Sequence, residues 1–155
     1  MGAVLALAHD TLITLGLFSI LGGLLPFNLE IDQAFVAALL TIIGYSINDT
    51  VVVFDRIREF AGIYKNLSRK EIINKAVNST ISRTVITSFT TLLVVTILLV
   101  FGGASIKGFA FALFIGILVG TYSSVFVATP VVYDTTDDEK IVERSTKASR
   151  AKATV

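Results

Sequence analysis

An all-α, polytopic membrane bundle of four transmembrane helices is the fold class this sequence predicts, on three observations. Hydrophobic residues are 54% of the 155 and charged residues only 16%, with a mean hydropathy of +0.79. That is the composition of a membrane protein. The apolar residues gather into four runs of roughly twenty, the length a hydrocarbon core of about 30 Å requires of a helix. The bases, finally, are sorted to one side of those runs, as the positive-inside rule expects of a multi-pass protein. The chain has no cysteine, which excludes a disulfide framework, a thiolate metal site and a cysteine nucleophile. No basic n-region precedes the first apolar run, so no cleavable signal peptide is expected.

Residues 3–25 form the first run, interrupted by His9 and Asp10 and closed by Gly22, Gly23 and Pro26. A short acidic loop, residues 27–33, leads to the second span at 34–55. This span carries Asn48 and Asp49 within apolar sequence and ends in Asp55, Arg56, Arg58 and Glu59. A carboxylate at such depth costs several kcal/mol, about 2.5 to 3.5 on insertion scales, and normally faces a protein interior or a wet path. A basic stretch follows. Ser68 and Glu71 fit a capping box, and Ile72, Ile73, Ala76 and Val77 fall on one face. Residues 68–79 therefore read as a short amphipathic helix lying at the membrane surface.

The third span, 81–101, is rich in hydroxyls, and Thr80, Thr84, Thr87 and Thr91 recur at three- and four-residue spacing as one stripe. A Gly102-Gly103 turn leads to the fourth span, 108–133, in which Gly108, Ala112, Gly116 and Gly120 make a smooth groove for a neighbouring helix. Residues 134–155 read as a charged, disordered tail. Of the 13 Lys and Arg, all but Lys107 lie at or between spans two and three or in the tail. Both chain ends and the middle loop are therefore expected in the cytoplasm.

A rise of about 1.5 Å per residue, counted from the outer helix ends, puts Asp10, Asp49 and Arg83 about 22, 24 and 27 Å deep. Tyr122, Ser123 and Ser124 occupy that depth on the fourth helix. One polar layer in the inner third of the bilayer is the result. Such a layer could trade protons, with Asp49 changing state as Arg83 or water approaches, driven by a potential worth about 2.3 kcal/mol per charge per 100 mV. Duller readings stand beside this one. Asp49 and Asn48 could be a structural hydrogen-bonding pair. Arg83 could snorkel to the surface. His9 and Asp10, as secondary relay candidates, read more simply as a wetted pair near a helix end. Three glycosylation-type tripeptides, at Asn48, Asn66 and Asn78, fall in the membrane or on the cytoplasmic side and are set aside.

The string GYSINDTVVVFDRIRE from Gly44 to Glu59, followed by SRTVITSFTTLLVV from Ser82 to Val95, resembles the SecD/SecF protein-export family of the resistance-nodulation-division superfamily. Leu7-Ala8-His9-Asp10, Phe101-Gly102-Gly103 and Gly108-Phe109-Ala110-Phe111 resemble the same family's flanking segments. The resemblance runs from Leu5 to Tyr133. It favours the SecF branch, because SecD has Asp-Ala-Asn-Val where this chain has Asn48-Asp49-Thr50-Val51. The family implies a multi-pass subunit of the bacterial inner membrane that works with SecD beside the SecYEG channel. It would use the proton-motive force to help draw a translocating preprotein outward. It implies Asp49 as the protonatable carboxylate with Arg83 as its cationic partner; Asn48 and Thr87 stand beside them as relay candidates from the residues themselves, where the amide, Thr50 and the third-helix hydroxyls could hold a water chain. No cofactor, metal, catalytic residue or nucleic acid is implied. Family members have six spans and an extracytoplasmic domain, so these four spans read as the C-terminal part, with self-association or pairing with SecD expected through unsatisfied faces.

Other functions compete with this one. A purely structural assembly module would tolerate Asp49→Asn but not enlargement along the fourth-helix groove. A small transporter of the same superfamily fits the architecture. An intramembrane aspartyl protease would need Asp10 and Asp49 to share a proton, but its Gly-x-Gly-Asp pattern is absent.

Overall fold

The structure, a computed structural model, describes residues 2–27 and 29–135. Five α-helices account for most of them: α1 (Gly2–Leu21), α2 (Gln33–Ile63), α3 (Arg69–Phe101), α4 (Ala104–Phe126) and α5 (Ala128–Thr135). Among the described residues there is no strand. The fold is thus the all-α bundle expected, with four helices long and apolar enough to cross a membrane.

Local chemistry sets the helix ends. Asp32 caps α2 by accepting from the Phe35 N–H at 2.8 Å. Ser68 and Glu71 close a reciprocal capping box on α3. Gly22, Gly23 and Pro26 end α1 early, at Leu21 rather than at residue 25.

Two helices are longer than the sequence reading gave. α2 continues through its charged end to Ile63, and α3 begins at Arg69, so the segment at 68–79 is not a separate surface helix but the first turns of the third span. At 31 and 33 residues they rise about 47 and 50 Å, some 20 Å more than the hydrocarbon core. The reason is packing. Ile73 and Ala76 of α3 meet Val53 and Ile57 of α2 in a second small core, with Phe54, Phe60 and Val77 against it. The apolar face that suggested a membrane surface is thereby used up within the bundle.

The fourth span, by contrast, is broken. Pro130 lacks the N–H that would reach the Phe126 carbonyl and its ring crowds that carbonyl, so α4 stops and α5 restarts beyond Val127. Residues 136–155, most of the expected disordered tail, lie outside the described residues.

α4 is the axis of the bundle. Half of its apolar window is buried, against 17–33% for the other three spans. Its small residues face α2 as the sequence suggested: a methyl group on Gly116 would run into the Ile42 side chain. At the end remote from the bases the core is aromatic, with Phe18 and Phe35 ring centroids 4.4 Å apart and Phe111 beside Phe18.

The hydroxyls of the spans mostly bond their own helix. Thr14 donates to the Asp10 carbonyl at 2.8 Å, Thr80 to Ala76 at 3.1 Å, Thr96 to Leu92 at 2.6 Å and Thr121 to Ile117 at 2.7 Å. Back-bonding of this kind satisfies a hydroxyl where water is scarce.

Candidate functional site

Reading inward-facing residues along each helix locates the site. On α2 they run Phe35, Ala38, Ile42, then Ser46, Asp49, Thr50, then Val53, Ile57, Ala61. α3 repeats the pattern as Ile73 and Ala76, then Thr80, Thr84 and Ser88, then Val95. α1 contributes Asp10 and Thr14, and α4 contributes Ser123 and Ser124. A buried polar layer therefore lies between two apolar cores, and burying polar groups is tolerable only where they find partners.

Asp10 is the most fully enclosed charged side chain of this layer, 1% exposed. Its Oδ2 accepts from the Ser46 hydroxyl of α2 at 2.6 Å and from the Ser123 hydroxyl of α4 at 2.8 Å. Its Oδ1 meets His9 Nδ1 at 3.1 Å. Three helices are thus tied at one carboxylate, and the expectation of a wetted pair near a helix end does not hold for Asp10. Gly120 makes the approach workable, since a Cβ there would stand 3.3 Å from Ser46 Cβ and 3.7 Å from Asp10 Oδ2. The spacing argument supplied the depth of Asp10 and Ser123. It missed Ser46 and Gly120, whose only signal was their smallness at that depth.

Asp49 has the opposite character. It is 6% exposed, and among the described residues its Oδ2 has no hydrogen-bond partner. Arg83 stands near enough to act on it electrostatically. The ion pairs among the described residues are His9–Asp10, Arg56–Glu59 and Arg58–Asp55, and Arg83 is in none of them. Arg83 is exposed and lines a cavity of about 320 Å³ with Asp55, Arg56, Glu59 and Thr80. Asn48 is also exposed, one residue and so about 100° around α2 from Asp49. Thr87 is exposed and donates to the Arg83 and Thr84 carbonyls, both at 3.0 Å. The predicted stripe is correspondingly rotated: Thr80, Thr84 and Ser88 point inward, while Thr87 points out.

A second hydroxyl chain joins three helices one turn farther from the basic end. Tyr45 donates to Ser88 at 3.2 Å, Ser88 and Thr121 are 2.7 Å apart, and Thr121 donates to the Ile117 carbonyl. With Thr121 committed to that carbonyl, Ser88 is the donor to Thr121, so all the O–H bonds run one way from α2 to α4. Asp10 and Asp49 share no hydrogen bond among the described residues, which removes the shared-proton geometry an aspartyl protease needs.

Comparison with known proteins places this arrangement. Residues 1–138 match the family profile described as protein export membrane protein SecD/SecF, C-terminal. The chain is 64% identical over 134 residues to the protein translocase subunit SecF of Rhodothermus marinus, covering 86% of this chain and 44% of that one. It is 50% identical over 132 residues to the subunit of the same name from Cereibacter sphaeroides, covering 85% and 39% respectively. A crystal structure of SecDF in a super-membrane-facing form superposes with a TM-score of 0.78 at 42% identity, over 99% of this chain and 19% of that one. The chain thus spans less than half the length of these curated relatives.

Proposed function

Since this chain belongs to the SecD/SecF C-terminal family of protein-export membrane proteins, we propose that it is the proton-coupled membrane part of a SecF-type translocase subunit. In this reading it sits in the inner membrane with its basic end, both chain ends and the middle loop in the cytoplasm, assembles with SecD beside the SecYEG channel, and uses the proton-motive force to assist export of a preprotein. The observation that carries it is Asp49, a buried carboxylate with an oxygen that no described donor satisfies. A carboxylate so placed needs a proton, a water or a cation, and can exchange one for another. Arg83, exposed on a cavity of its own and near enough for its charge to act on Asp49, is the cation in this reading. Thr87 and Asn48 flank the pair on outward faces and would meet it only through water or through a neighbouring subunit.

Asp10 and His9 take a different part. Asp10 already accepts three contacts across three helices, which favours a clamp that holds α1, α2 and α4 in register around the working carboxylate. A purely structural module would extend that reading to Asp49. Asp49→Asn in the complete SecD-containing complex separates the two. Loss of gradient-dependent export and of proton conduction, with assembly intact, supports coupling through Asp49. Wild-type export and conduction would refute it.

A further inference from the structure

At the basic end, α3 and the α4–α5 junction enclose a cleft of about 550 Å³, within the usual range of small-molecule sites. Toward the membrane its walls are hydrocarbon: Val77 and Ile81 on one side, Phe126 and Pro130 on the other. Its mouth is polar. Lys70, Asn74 and Asn78 line it on α3, and Tyr133 closes it on α5 beneath the Arg69 guanidinium, 4.4 Å from the ring centroid. From Lys70 to Ile81 the helix rises about 16 Å. Whatever fills the cleft along its length must therefore carry a polar or anionic head at one end and an apolar chain at the other.

We propose that this cleft binds an anionic phospholipid of the adjoining leaflet. Its phosphate lies between Lys70 and the Asn74 and Asn78 amides, and one acyl chain lies between Ile81 and Phe126. Charge complementarity selects this occupant over a partner helix: among the described residues lining the cleft, Lys70 is the one charged side chain and none is a carboxylate. Depth agrees, because Lys70 lies in the part of α3 that overhangs the hydrocarbon core, while Ile81 begins its apolar run. Phe126 is 61% exposed at the entrance, as a chain-contacting residue should be. Basic pockets between spans are a recurrent way of holding lipid head groups. The inference is independent of the proton-coupling reading, since none of these residues belongs to the polar layer.

The test is site-specific photocrosslinking in membranes that contain the complete subunit with its partner. A benzophenone side chain replaces Phe126, and a second replaces Val94, which is 67% exposed at mid-span, away from the cleft, and serves as the reference position. The expected result is lipid adducts at position 126 enriched about fivefold in anionic head groups over those at 94, as about 1 kcal/mol per basic residue near an anionic surface gives. Lys70→Gln should return the ratio to the bulk value. Protein adducts at position 126, no adduct there while position 94 reacts, or equal head-group ratios at the two positions would overturn the proposal. So would an enrichment that Lys70→Gln leaves unchanged.

Discussion

The two serines on Asp10 look equivalent but should not be. Among the described residues the Ser46 hydroxyl bonds only Asp10 Oδ2, at 2.6 Å. Ser123 donates to the same oxygen at 2.8 Å but also reaches the Gly120 carbonyl at 3.2 Å. When Asp10 becomes Ala, Ser123 keeps the Gly120 carbonyl it already reaches, whereas Ser46 loses the acceptor its hydroxyl holds and must turn before it finds another. Interhelical hydrogen bonds in membranes average about 0.6 kcal/mol and reach about 1.7, and a short bond to a carboxylate belongs at the upper end. Double-mutant cycles should therefore give a coupling of about 1.7 kcal/mol for Asp10 with Ser46 and about 0.6 for Asp10 with Ser123. The assay is reversible unfolding in bicelles of the wild type, Asp10→Ala, Ser46→Ala, Ser123→Ala and the two doubles. A coupling with Ser123 equal to or above that with Ser46, or both below the additivity error of about 0.3 kcal/mol, would refute the clamp.

Two further outcomes concern packing and pH. Gly116→Val should destabilise the bundle by about 1 to 3 kcal/mol through overpacking on Ile42, and adding Ile42→Ala should recover much of that loss in the same unfolding measurement. At the start of α3, which stands outside the hydrocarbon, Ser68 hydrogen bonds hold the Glu71 carboxyl below its usual range. A depressed folded value means stabilisation present above the ordinary carboxylate range and lost as pH falls through the lowered one. Amide exchange in the first turn of α3 should accordingly accelerate on acidification, and Ser68→Ala should remove that pH dependence.

Depth was legible in the sequence, and facing was not. Counting residues from the outer ends put Asp10, Asp49 and Ser123 in one layer because helical rise is nearly constant. Which way a hydroxyl points depends on its neighbours. Thr87 and Ser88 differ by one position and about 100°, and both fit a three- and four-residue spacing from Thr84. The choice fell to Ser88 because Tyr45 and Thr121 wait there from other helices. Asp10 was underrated for a related reason: its enclosure depends on Gly120, more than a hundred residues away in sequence, and on Ser46, 36 residues away. The overhang of α2 and α3 went unseen because an apolar face shows only that something covers it, and here the cover is the other helix. Motif wording carried the family where physical pattern gave only a bundle.

The hydroxyls that bond their own helix bear on how this protein could move. Thr14, Thr80, Thr96 and Thr121 each keep an acceptor on the same backbone. If α3 and α4 part, Thr80, Thr96 and Thr121 travel with their acceptors and do not enter the bilayer bare, a state that would cost several kcal/mol each. The α3–α4 seam is in that sense nearly self-sealing: those hydroxyls keep their bonds when its faces part, and the donor at stake is Ser88, whose bond to Thr121 crosses it. Asp10, by contrast, is a rivet that cannot be withdrawn so cheaply. A bundle with one riveted joint and one nearly self-sealing joint parts more cheaply along the second.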